Sequence, residues 1–134
     1  QAVKGLTAAL PIVEEGGTVL IVARCEEGIG GPEFTDLLLS TPSVEIFAQR
    51  IEDPDFFVID QWQLQELCKV LRKANVMMYS EGIQEEHRDS VLVEMVSSVE
   101  DAIARVINER GADARIAVIP KGPYVLTKLQ EVAS

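Results

Sequence analysis

Gln1 and Lys4 open the chain three residues apart in QAVKGLTAAL. On a helix that spacing makes them neighbours, an amide beside an ammonium. Such a pair can grip a carboxylate, with the lysine supplying charge and the amide a directional hydrogen bond. The competing reading is a solvated helix start whose polar residues need no ligand. Trp62, the sole tryptophan, lies among polar residues in Asp60-Gln61-Trp62-Gln63. It either faces a pocket or packs against a neighbouring helix. In EEGIGGPEF, Gly28, Gly30 and Gly31 permit close backbone approach. An anion could sit there, at the N-terminus of the following helix. The spacing is GxGGxx, however, with Glu33 where a dinucleotide fingerprint has its third glycine, and no P-loop Lys-Ser/Thr follows. As a nucleotide motif this is weak, and a plain strand-to-helix turn is the favoured reading of these glycines.

The remaining reactive side chains form no constellation. His87, in EEHRD, is the only histidine and cannot build a His-rich metal site, so it is expected as an exposed helix residue. Cys25 and Cys68 lie in apolar runs without a partner at metal-ligand spacing. They read as small buried hydrophobes of a reducing compartment. No serine occupies a GxSxG context. The carboxylate pairs Glu14-Glu15, Glu26-Glu27 and Glu85-Glu86 sit in solvent-like surroundings and follow from the net charge of −10. The expectation is no metal site and no complete active site.

Hydrophobic periodicity supplies the elements that would position these residues. Val3, Leu6 and Leu10 give the opening helix an apolar edge, interrupted at Pro11 and stopped at Gly16-Gly17. TVLIVARC, Thr18 to Cys25, is a β-branched run predicted as a strand covered on both faces. Pro32 suits the first turn of a helix through Leu39. Thr41-Pro42 or Ser43 opens another, with Val44, Phe47 and Ile51 on one edge. Asp60 is expected to cap a longer helix through Ala74 that carries Leu64, Leu67, Cys68 and Leu71 inward, with Asn75 as terminator. VMMY, Val76 to Tyr79, is strand-like. Gly82 to Asp89 is a polar helical turn, and Leu92 to Val96 an ambiguous apolar run. Ser98 with Asp101, or Ser97 with Glu100, fits a capping box. The helix it opens should turn Ile103, Val106 and Ile107 inward and stop at Gly111. ARIAVI, Ala114 to Ile119, is predicted as a strand, Pro120 to Pro123 as a loop, and the tail as a short helix.

Helices alternating with short buried strands indicate one α/β domain over residues 1–134, Rossmann-like and three-layered, with a short, mostly parallel sheet flanked by helices. Ligands of such sheets bind beyond the C-terminal strand ends. There the loops Glu26 to Phe34, Ser80 to Ile83 and Pro120 to Tyr124 would gather. The net charge of −10, with Lys and Arg unclustered, argues against nucleic acid. No apolar run reaches the roughly 18 residues of a membrane span, and a cytoplasmic location is the default expectation. Beginning at Gln1 directly in helical pattern, the chain is expected to carry a cut end, as a processed chain or an excised domain.

The ordered set QAVKGLTAA, EEGGTVLIVARCEEGIGGPEF, DQWQLQELCKVLRKANVMMYSEGI and ADARIAVIPKGP resembles the C-terminal domain of the nickel-pincer lactate racemases. The resemblance spans nearly the whole chain, and its most specific pieces are the Q-x-x-K opening, GG-T, EGIG and the tryptophan helix. It implies a two-domain isomerase that interconverts enantiomers of 2-hydroxy acids. The family's nickel pincer nucleotide, tethered to a lysine of the N-terminal domain, takes a hydride from C2 and returns it to either face. Two histidines of that domain exchange the hydroxyl proton. By this resemblance Gln1 and Lys4 hold a small 2-hydroxy acid near its carboxylate, and Trp62 walls the pocket. An aromatic that often precedes the glutamine would fall upstream of Gln1. The tethering lysine, histidine pair and nickel ligands have no counterpart here, and His87 matches none of them. The resemblance therefore implies a domain that binds no cofactor and is inactive without its N-terminal partner. A non-catalytic Rossmann-like domain, binding a phosphate or cofactor fragment at EGIGG or serving as an interaction module, is the alternative.

Overall fold

Three apolar runs pair as one parallel sheet in the computed structural model, which describes residues 1–131. β1 (Thr18–Val22), β2 (Asn75–Tyr79) and β3 (Glu94–Met95) lie in the order β1-β2-β3. Thr18 is opposite Asn75 and Val22 opposite Tyr79, while Met77 and Met78 face Glu94 and Met95. The α/β, flanked-sheet class expected from the sequence is what the chain adopts.

Strand alternation sorts the sheet's side chains onto two unequal faces. Val19, Ile21, Val76 and Met78 join the main core with Leu6, Phe34, Leu37, Phe47, Leu64, Leu67 and Val70. That face is covered by α1 (Ala2–Thr7), α2 (Pro32–Leu39), α3 (Val44–Arg50) and α4 (Gln61–Lys73), with α1 and α4 packed side by side. The other face has α5 (Val99–Arg110), whose Arg105 reaches Met77 Sδ at 3.2 Å and Glu94 at 2.6 Å. One helix covers it incompletely. Val22 keeps 56% of its surface exposed, so β1 is not covered on both faces as its composition predicts. Ile103 and Ile107 likewise remain 38% and 39% exposed, and of α5 only Ala102 is buried.

Several boundaries move for identifiable reasons. The opening helix ends at Thr7 rather than Leu10, because Pro11 offers no N–H to the Thr7 carbonyl and crowds it. The chain continues in tight turns, Leu10 N–H to Thr7 O and Ile12 N–H to Ala9 O, before Gly16 turns at φ +70°. Asp60 does occupy the start of α4, but its backbone is left-handed at φ 65° and its side chain caps nothing. The Gln61 side chain instead accepts the Val58 N–H at 2.8 Å. Asn75 begins β2 rather than only ending α4, its N–H donating to Gly17 O. At α5 the Ser98–Asp101 option holds, with Ser98 Oγ accepting the Asp101 N–H at 3.1 Å.

The clearest correction concerns Ala114 to Ile119, which forms no strand. The third strand is instead Glu94–Met95, within the run that was ambiguous in the sequence. Ile116 and Val118 stay 58% and 81% exposed. The alternation is present, but no strand partner pairs with this segment, and a strand without a ladder does not persist. The short helix expected in the tail is absent over residues 125–131, and its remainder falls outside the described residues.

Candidate functional site

The backward run of α1 and α4 against the strands they precede determines where their first residues lie. Lys73 Nζ donates to Leu10 O at 2.6 Å, and the Gly16 N–H to Lys73 O at 2.8 Å. The ends of both helical segments therefore meet at the sheet's N-terminal edge. Their starts point to the opposite edge, beyond the C-terminal ends of β1 and β2. Gly5 of α1 accordingly sits over Ile21, one residue before the end of β1. This places Gln1, Lys4 and Trp62, carried by different elements, at the edge where parallel α/β sheets bind ligands.

Among the described residues, the side chains of Gln1 and Lys4 make neither a hydrogen bond nor an ion pair, and both residues are exposed. Backbone Lys4 N–H donates to Gln1 O at 3.1 Å, which holds the two positions in one turn. An amide and an ammonium free of internal partners keep their full capacity for a carboxylate. Trp62 is 46% exposed, and Phe57 and Ile59, just before α4, are 78% and 54% exposed. The tryptophan is thus not a core anchor and keeps part of its apolar surface uncovered.

Two glycines bring the loops at this edge together, and their sequence context gave little sign of it. A Cβ on Gly82 would lie 1.8 Å from the Cys25 carbonyl oxygen, so the loop after β2 is pressed against the loop after β1. Gly82 N–H and Ser80 Oγ both donate to Arg24 O, at 2.9 and 3.0 Å. A Cβ on Gly122 would meet the Gly5 Cα at 3.1 Å, which sets the Pro120–Tyr124 loop directly on α1. Glycine marks close approach, but only the tertiary arrangement names the partner.

The glycine loop takes the turn the sequence allows. Cys25 has φ 52° and Gly28 φ 76°, with Gly28 N–H donating to Cys25 O at 2.8 Å. A Cβ at Gly28 would meet nothing within 4 Å, so its backbone is open to approach. Gly30, at φ 148°, lies against Phe34. The α2 N-terminus carries Glu33 in its first turn and Pro32 without an N–H, with Glu26 and Glu27 nearby in the loop. Those carboxylates oppose an anion there.

Metal-ligating residues do not converge. Among the described residues, no three His, Cys, Asp or Glu side chains are grouped to hold an ion. His87 is half-buried on a 3₁₀ turn, Glu85–Ser90, with Nε2 3.7 Å from Glu86. Both cysteines are free thiols, Cys68 buried and Cys25 partly so. Burial pushes the Cys68 thiol pKa upward, against the smaller opposing pull of Arg72. A cleft of about 880 Å³ near β3 is lined by Thr41, Glu85, Arg88 and Glu94 and contains none of Gln1, Lys4, Trp62, Gly28 and Gly30. Its open mouth and mixed charges give it no evident chemistry. No helix among the described residues is long and apolar enough to cross a membrane.

The lactate racemase C-terminal domain profile matches residues 1–127. Lactate racemase of Lactiplantibacillus plantarum is 32% identical over 130 residues, covering 96% of this chain and 31% of the relative. The Thermoanaerobacterium thermosaccharolyticum lactate racemase is 26% identical over 96% of this chain and 30% of its own length. The structure of the lactate racemase apoprotein from the latter organism superposes with a TM-score of 0.79 at 25% identity, over 92% of this chain and 30% of that one. The chain thus spans under a third of the length of these relatives. A match reaching from the Gln1–Lys4 turn through the loop set on α1 places the chain in the lactate racemase C-terminal domain family.

Proposed function

We propose that residues 1–134 form the C-terminal, substrate-closing domain of a larger two-domain racemase or epimerase acting on a small 2-hydroxy acid. The observation that carries this reading is the pairing of Gln1 and Lys4, exposed and without internal partners, at the ligand edge of a lactate racemase domain. In it Lys4 holds the substrate carboxylate by charge, Gln1 fixes its orientation, and Trp62 walls the pocket and excludes water. Gly28 and Gly30 supply backbone contacts at the same mouth.

Inverting a carbon that bears a hydroxyl requires its hydrogen to leave one face and return to the other. A nickel pincer nucleotide would supply that redox chemistry. Among the described residues no three His, Cys, Asp or Glu side chains are grouped to hold a metal; in this scheme the cofactor and the acid–base groups are those of the N-terminal partner domain. What this chain contributes is position. Holding the carboxylate fixes C2 relative to groups on the other domain, and closure brings the two halves together with water excluded. In this scheme the C-terminal domain is inactive alone and needs neither nucleic acid nor membrane; its setting is cytoplasmic.

The test is Lys4→Ala in the two-domain enzyme. A charge-assisted hydrogen bond contributes about 1.5–3 kcal/mol, so KM should rise about tenfold or more with the thermal transition unchanged. Unchanged kinetics would remove Lys4 from the site. Titrating the chain with nucleotides and inorganic phosphate addresses the alternative, since tight binding at the glycine loop would favour a non-catalytic ligand-binding domain.

A further inference from the structure

Lys4 stands on a helix with little of its own to hold it in place. α1 has six residues, and Gln1, at its N-cap, makes no side-chain capping bond. Isolated helices of this length are unstable in water, so tertiary contacts must set the position of the Lys4 backbone. Leu6 anchors the helix in the core, and directly beside Lys4 the close backbone approach falls on the next residue, Gly5, which is buried. On one side Gly5 faces β1, where an added Cβ would lie 3.0 Å from Ile21 Cδ1. The Gly122–Pro123 turn faces it too: a Cβ on Gly122 would lie 3.1 Å from Gly5 Cα and 3.4 Å from Gly5 O. Thr127 Oγ1 donates to Ala8 O further along, so the strap after Lys121 stays on the helix beyond this contact.

We infer that the backbone contact between Gly5 and Gly122 positions Lys4, making Gly122 a positioning residue for substrate although its chain segment is distant in sequence. The inference rests on the proposed substrate role of Lys4 and adds the device that aims it. The two walls differ in compliance. Ile21 Cδ1 is the end of a flexible side chain and can turn aside. The Gly5 backbone cannot, so a methyl group at Gly122 must move either the strap or the helix by a few tenths of an ångström. Gly122 lies outside the positive-φ glycines, so alanine there tests close approach without backbone strain. Binding groups must be held within roughly 0.5 Å of their working geometry, and a shift of this order takes up much of that tolerance at the ammonium.

The test uses the two-domain holoenzyme. Gly122→Ala should raise KM about fivefold or more with kcat within about twofold, because Lys4 binds ground and transition states alike. In a Lys4→Ala background the same substitution should add nothing, since both act on one interaction. Hydrogen exchange should show faster opening of residues 2–7 in Gly122→Ala while α4 and β2 keep their protection. A merely structural glycine would instead lower the thermal transition and act additively with Lys4→Ala; that pattern overturns the inference. If Lys4→Ala itself leaves KM unchanged, the substrate reading falls. If Lys4→Ala is impaired while Gly122→Ala is harmless, only the positioning role falls.

Discussion

At the residue scale, exposure separates side chains that hold the fold from those offered to a ligand. Leu64 is 0% exposed and Trp62, two residues earlier on α4, is 46% exposed. Leu64→Ala should therefore cost about 2–5 kcal/mol, measured by denaturant unfolding. Trp62→Ala should cost less than about 1 kcal/mol yet raise KM in the two-domain enzyme; a loss matching that of Leu64→Ala would make the tryptophan a core residue. The thiols divide similarly. Cys25 should react with iodoacetamide in the native state, and Cys68 only after unfolding, because burial favours its neutral form. The sign of the accompanying pH effect follows. With the folded thiol pKa raised, the unfolded chain loses its proton first as pH climbs. Stability from this group is complete below the ordinary thiol pKa and declines above it, which unfolding curves in alkaline buffer would register.

Among the elements, the loops after β1 and β2 behave as one unit because Gly82 lets them touch. Gly82→Ala would place a methyl group within 1.8 Å of the Cys25 carbonyl oxygen, and it should destabilise the chain by about 3 kcal/mol or more. Gly28→Ala meets open space and bears only the strain of φ 76°, about 1–2 kcal/mol. Thermal unfolding of the two variants should rank them in that order, and equal losses would contradict the welded-loop geometry. The segment from Ala114 to Ile119 supplies the opposite case. Val118 is 81% exposed and pairs with no strand, so Val118→Thr should shift stability by no more than about 0.5 kcal/mol.

Across the whole molecule, the apolar residues left uncovered are unevenly distributed. Phe57, Ile59 and Trp62 precede or begin α4, while Tyr124, Leu126 and Leu129 lie on the strap after Lys121, with Leu126 fully exposed. Large exposed apolar groups in clusters mark interaction surfaces, and the relatives in which this domain occurs are about three times as long. On the two-domain proposal, an environment-sensitive hydrophobic dye should bind this chain more strongly than the longer enzyme, per domain. Equal binding would mean that these residues face solvent in both.

The sequence by itself determined the α/β class, α2 to α5 within about three residues, the starts of the first two strands within one residue, and a serine cap at Ser97 or Ser98, because propensity, period and capping act over a few neighbouring residues. It also determined that Gln1 and Lys4 share a turn and that Trp62 opens a helix. Only the tertiary structure decided which apolar run became the third strand. Ala114 to Ile119 has the better pattern, yet Glu94–Met95 lies where β2 can bond to it, and a strand exists only with a ladder. Only the tertiary structure, likewise, set Gly122 against Gly5 and Gly82 against Cys25. A glycine records that something comes close, and the identity of that neighbour is a property of the folded chain.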